Sequence, residues 1–233
     1  MDVEIPCDGR PPLPGVLSLP EGNGGPRPAL LLIYEILGMT EEMKQVADDF
    51  AAEGYAVLIP DLFARGPFKA LCVARAMRAV AAQRGREFDD LESARQFLAS
   101  RPDVDPDRIG VIGFCLGGGF ALVLAMRPEY KVAVPFYGDV PETIPRSCPV
   151  VASFGERDRI FLKKAKRLAS QLDALGVPND VKIYPEAGHA FYTRTPAGLL
   201  AKLGAMGPMN VGYHEPSAQD ARARVLAFVR EHL

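Results

Sequence analysis

The chemistry in this chain centres on one short stretch, Gly113-Phe114-Cys115-Leu116-Gly117. A cysteine stands between glycines two residues to either side, the spacing of a sharp strand-to-helix turn that presents one side chain at its apex. Such a turn forces the central residue into a strained backbone, and side chains at the flanks would collide with neighbouring elements. Small flanks therefore leave the Cys115 sulfur open to a cleft. The N-terminus of the following helix favours a thiolate there, and the backbone N–H of Leu116 is placed to bind an oxyanion. A Gly-rich turn can also cradle phosphate. Yet Gly113, Gly117, Gly118 and Gly119 match neither the dinucleotide-binding spacing nor a lysine-bearing phosphate loop.

A thiol nucleophile needs a base, and the base needs an acid to hold its ring. Three histidines are present. His232 lies at the end of the last helix and His214 precedes that helix with no strand behind it, whereas His189, in Gly188-His189-Ala190-Phe191, follows a strand. His189 is the expected base. The order nucleophile, acid, base places the acid between Cys115 and His189. Asp158, in Phe154-Gly155-Glu156-Arg157-Asp158, sits just beyond a strand and is favoured, with Asp139, after Tyr137-Gly138, as the alternative. Glu35 adds a carboxylate at the end of an apolar strand, where a charge needs a partner. It reads as a structural ion pair or as a member of the site, and its place on the same edge favours the site.

Positioning these groups requires a sheet. Residues 29–34, 55–59, 109–114, 131–137, 149–154 and 180–184 are apolar runs with the length of buried strands. Helical stretches alternate with them, at about 40–53, 69–84, 89–100, 120–126, 162–175 and 216–232. Thr40 reads as an N-cap with a partial capping box. Residues 3–19, with Pro11, Pro12, Pro14 and an Asp8-Gly9 turn, read as an irregular edge hairpin, and 103–108 as a turn into the strand before the elbow. The alternation implies right-handed crossovers and an α/β fold, a mainly parallel central sheet flanked by helices on both faces, in one domain over residues 1–233. In such sheets the active site lies beyond the carboxyl ends of the strands, where Glu35, Cys115, Asp158 and His189 all fall.

With 233 residues and 48% hydrophobic content, the chain can bury a full core. Its net charge of -2, with scattered basic residues, argues against a nucleic acid or an anionic membrane as partner. The four cysteines, Cys7, Cys72, Cys115 and Cys148, form no C-x-x-C pair, so no structural metal site is expected. Met1 to Arg10 lacks the apolar core of a signal peptide, and no apolar run approaches the ~20 residues that span a bilayer. The expectation is a cytoplasmic monomer acting on a small molecule, in a compartment that keeps a free thiol reduced. A different reading makes Cys115 a redox-sensing thiol with Cys72 or Cys148 as its resolving partner.

Over almost its whole length the sequence resembles the dienelactone hydrolase family of α/β-hydrolases. The resemblance is carried by Tyr34-Glu35-Ile36-Leu37-Gly38, Pro60-Asp61-Leu62-Phe63-Ala64-Arg65, the elbow with Gly118, the turn from Gly155 to Asp158, and Gly188-His189-Ala190-Phe191. It implies a triad of Cys115, Asp158 and His189, with Glu35 assisting thiol deprotonation as it exchanges an arginine partner for the cysteine. Arg194, in the loop after the histidine, is the matching arginine. The resemblance also implies an oxyanion hole from the N–H groups of Leu116 and Ile36, and hydrolysis of small lactones or esters through an acyl-cysteine, with no cofactor or metal. Arg65 and Phe63 fall in a substrate-binding segment, Phe63 standing where a tyrosine is common. The family's second carboxylate-binding arginine has two candidates, Arg75 and Arg78, between which the sequence does not choose. A broader carboxylesterase or thioesterase on the same scaffold is the alternative activity.

Overall fold

The computed structural model describes residues 1–22, 25–66, 68–194 and 206–233. Its strands are β1 (Asp2–Cys7), β2 (Arg10–Ser18), β3 (Arg27–Ile33), β4 (Ala56–Pro60), β5 (Val104–Phe114), β6 (Ala133–Phe136), β7 (Val150–Gly155) and β8 (Asn179–Tyr184). Its helices are α1 (Glu41–Ala52), α2 (Lys69–Ala82), α3 (Arg86–Ala99), α4 (Leu116–Leu124), α5 (Leu162–Ala174) and α6 (Glu215–His232). The strands form one 8-stranded sheet in the order β1-β2-β4-β3-β5-β6-β7-β8. Pairing is antiparallel from β1 to β2 and from β2 to β4, and parallel from β4 through β8.

Burial explains the unbroken apolar runs. Ala29, Leu30, Leu31 and Leu32 of β3 are each 0% exposed, because helices cover both faces of the parallel strands and remove any need for alternation. Each such leucine contributes about 1.5–3 kcal/mol of burial. On α1, Thr40 Oγ1 accepts a hydrogen bond from the Met43 N–H at 3.3 Å, and Met43, Val46, Ala47 and Phe50 face the core. Since β3, β5, β6 and β7 run the same way, the residues that follow them, Glu35, Cys115, Tyr137 and Asp158, emerge on one edge.

Three local expectations are corrected. Residues 103–108, read as a turn, mostly belong to β5, where Arg27 pairs with Val104 before an irregularity and renewed pairing from Ala29 to Ile109. Pro106, Asp107 and Arg108 are exposed there, so charge and a missing N–H do little harm. Helix α3 begins at Arg86, ahead of the expected 89, because Phe88 is buried against Phe120 with ring centroids 5.0 Å apart. Helix α4 begins at Leu116 and runs through the glycines, which propensity disfavours and close packing against the sheet imposes. Among the described residues no helix is long and apolar enough to cross a membrane.

Candidate active site

Cys115 occupies the step between β5 and α4 with φ 53° and ψ -111°, a left-handed conformation that costs a non-glycine residue about 1–3 kcal/mol. Its N–H donates to the Phe136 carbonyl at 3.0 Å, which ties the strained residue to β6. The tightness of the turn explains its glycines. A methyl group added at Gly113 would lie 2.0 Å from the Gly117 carbonyl oxygen, and one added at Gly117 would lie 2.0 Å from the Ile33 carbonyl oxygen. The first turn of α4 therefore rests directly on the end of β3, bringing Cys115 beside the segment that carries Glu35 and Ile36. Leu116 opens α4, where the first N–H groups have no partner within the helix. No carbonyl elsewhere in the described backbone takes the N–H of Leu116 or of Ile36.

The loops after β7 and β8 are sewn together by hydrogen bonds from Glu156 N–H to the Tyr184 carbonyl and from Arg157 N–H to the Ala187 carbonyl, both 2.9 Å. Asp158 thereby sits beneath His189 and is 0% exposed. Its Oδ1 accepts from the N–H groups of Ile160 at 3.1 Å and Phe161 at 3.2 Å, while Oδ2 lies 2.7 Å from His189 Nδ1. The rings of Tyr137 and Phe161 pack on the imidazole at 4.9 Å and 5.1 Å. His189 Nε2 is buried with no hydrogen-bond partner among the described residues, and the Cys115 side chain is one of the groups that influence the ring. Burial pushes the imidazole pKa down, but Asp158 and Cys115 outweigh burial and bring it up to about 10. At neutral pH the ring holds its proton.

Asp139, the alternative acid, is elsewhere: its carboxylate forms an ion pair with Lys164 at 2.6 Å. Glu35 is buried on the same side as Cys115 and His189. Burial raises its pKa, opposed by the His189 charge and by a hydrogen bond from Thr193, while Glu42 raises it further. Thr193 Oγ1 stands 3.4 Å from Glu35 Oε2 and 3.4 Å from the Tyr137 hydroxyl.

The expected arginine partner of Glu35 is not there. Arg194 turns outward, with its N–H on Glu42 Oε1 at 2.9 Å and its guanidinium 4.1 Å from the Tyr213 ring centroid. Consecutive loop residues face opposite ways, and the inward position belongs to Thr193. Arg65 likewise departs from a substrate-binding place: its guanidinium pairs with Asp90 at 3.0 Å and bonds the Pro11 carbonyl, fastening the loop after β4 to the β1–β2 hairpin. Phe63 does border the segment after β3, since its ring packs edge-on against Tyr34 at 4.9 Å and lies 3.4 Å from where a Gly38 side chain would start.

Of the two remaining arginines, Arg75 pairs with Glu87 at the α2–α3 junction, and Arg78 shares that hollow with Arg75, Arg84 and Arg86. Cys148 N–H bonds the Ala125 carbonyl at the far end of α4 from Cys115. A helix of that length spans about 13 Å, beyond the reach of a disulfide, so Cys148 is no resolving partner. The Cys72 thiol sits 3.6 Å from the Phe63 carbonyl. His214 bonds Ser217 Oγ at 2.8 Å at the start of α6, and His232 packs on Phe228 at 4.3 Å. Among the described residues no cluster of three or more His, Cys, Asp or Glu is disposed to hold a metal ion. Tyr137, Phe161 and Thr193 carry no motif that singles them out; the one signal for Tyr137 is its place just after a strand, shared with Asp139.

The strand order, the elbow and the edge on which the loops meet define an α/β-hydrolase. A family model described as the dienelactone hydrolase family matches residues 13–233, so the chain belongs to that family and is a hydrolase of carboxylic esters or lactones. A carboxymethylenebutenolidase of Pseudomonas putida is 28% identical, covering 78% of this chain and 82% of its own. A Methylorubrum extorquens relative, provisionally assigned the same activity, is 31% identical over 82% of this chain and 72% of its own. The solved structure of a dienelactone hydrolase-like promiscuous phosphotriesterase from metagenomic libraries shares the fold at a TM-score of 0.80 and 22% identity, covering 100% of this chain and 97% of that one.

Proposed function

We propose that this chain cleaves small lactones or esters through an acyl-cysteine intermediate, in a cytoplasmic setting that keeps Cys115 reduced. The observation that carries the reading is the 2.7 Å contact between Asp158 and His189 Nδ1, which aims Nε2 at a thiol held on a strained elbow. The Cys115 thiolate attacks the acyl carbonyl. The N–H groups of Leu116 and Ile36 receive the oxyanion. Collapse of the tetrahedral intermediate breaks the acyl–oxygen bond, and the imidazolium of His189 gives its proton to the departing oxygen. His189, then neutral, takes a proton from water, whose oxygen attacks the thioester, and the acid product leaves with Cys115 restored as thiolate. Asp158 holds the ring tautomer throughout.

Rapid mixing with p-nitrophenyl acetate, acid quenching and peptide mass analysis test the intermediate. One acetyl group is expected on the peptide that contains Cys115; nitrophenol release with that peptide unmodified overturns the mechanism. The acid is tested separately. Asp158→Asn is expected to lower kcat by about 10³–10⁴, the cost of a wrong tautomer, with the fold retained. Asp139→Asn, which breaks a half-exposed pair with Lys164, is expected to change kcat by no more than about threefold. Equal losses in the two variants would remove Asp158 from its assigned role.

A further inference from the structure

Glu35 is buried beside an uncharged neighbour. Thr193, 0% exposed, meets it through a hydroxyl at 3.4 Å, a long contact that satisfies a carboxylate poorly. Among the described residues the charges acting on Glu35 are those of His189, which lies on the proposed reaction path, and Glu42, which has the same sign. The guanidinium groups near this edge are engaged elsewhere: Arg65 on Asp90, Arg75 on Glu87, Arg194 on Tyr213. Lys69 reaches the rim, where its ammonium donates to the Leu37 carbonyl. Around that rim Ile36 and Phe68 leave 45% and 73% of their surface open, a high exposure for large apolar side chains.

We propose that Thr193 is a specificity-determining residue: by facing Glu35 with a hydroxyl where the family resemblance implies a guanidinium, it fits the site to uncharged esters and lactones over substrates bearing a carboxylate. The inference rests on the hydrolase reading above and names its substrate class. A substrate carboxylate brought beside the thiol loses water and meets Glu35, with no guanidinium to replace that water. An uncharged acyl group loses little solvation and gains the apolar rim.

Matched substrates test this at mildly alkaline pH and low salt: p-nitrophenyl propionate against p-nitrophenyl hemisuccinate, each corrected for its enzyme-free hydrolysis, which for the hemisuccinate includes attack by its own carboxylate. The uncharged ester is expected to have a kcat/KM at least about tenfold higher. Thr193→Arg is expected to narrow the ratio of the two kcat/KM values about tenfold, with the larger change in KM for the hemisuccinate. A hemisuccinate hydrolysed as well as the propionate overturns the proposal, as does a preference for it that Lys69→Met abolishes, which would assign Lys69 as the counter-charge. Because arginine at a buried position can disturb folding, Glu35→Gln supplies a second variant. In both, alkylation of Cys115 by iodoacetate relative to iodoacetamide is expected to rise about tenfold over the unmodified protein, with the His189 charge common to every ratio. This readout needs no turnover. If neither ester is cleaved but the alkylation ratios move, the hydrolase reading fails while the charge environment assigned to Thr193 and Glu35 stands. Unmoved ratios overturn that assignment directly.

Discussion

Cys115→Ala is expected to lower kcat by about 10⁵-fold or more, leaving a residue of catalysis from the oxyanion site and from binding alone. The size of the loss follows from how the remaining groups depend on the sulfur. His189 is raised to about 10 with Cys115 as one of its causes, so without the thiol the imidazole loses both its proton acceptor and part of the reason it is charged. Asp158 then orients a ring that has nothing to activate, and the effects of removing either partner do not add. The fold has little reason to change, since Cys115 is half-buried and alanine accepts the same φ of 53° at similar strain. Turnover of p-nitrophenyl acetate, followed beside the far-ultraviolet helical signal, checks both halves. Activity within tenfold of the unmodified protein would place the nucleophile elsewhere, and loss of helical signal would make the kinetic result a folding defect.

Gly117→Ala is expected to destabilise the fold by about 4 kcal/mol, or to prevent its formation at growth temperature. The added methyl would lie 2.0 Å from the Ile33 carbonyl oxygen and 2.6 Å from its carbon, and both belong to the backbone of the central strand β3. Side chains can rotate away from an intruder, but a strand hydrogen-bonded on both sides cannot. Relief would require α4 to lift from the sheet, pulling Leu116 and Cys115 away from the end of β3. Thermal or urea unfolding measures the loss. Gly176→Ala is the contrasting case, with open space around it and only the φ of 64° against the methyl, and its cost is expected to stay near 1 kcal/mol. A Gly117→Ala protein as stable as Gly176→Ala would mean that the helix and strand are not held so close.

The features legible in the order of the amino acids were local and periodic. Unbroken apolar runs announced strands buried on both faces, the alternation with helices announced a parallel sheet, and the spacing of Gly113, Cys115 and Gly117 announced a turn that only small flanks permit. Chain order then narrowed the base and the acid, because strands running the same way deliver their following residues to one edge. Which of two acids meets the histidine is settled by contacts distant in the chain: Asp139 and Asp158 both follow strands, and the difference lies in Lys164 capturing one and His189 the other. The tertiary structure likewise decided that Thr193 rather than Arg194 faces Glu35, and that Arg65 serves Asp90 and the β1–β2 hairpin. In a loop the direction of a side chain has no period. It is set by which distant backbone and charges happen to lie alongside, and a long arginine finds its partner among residues far away in the chain.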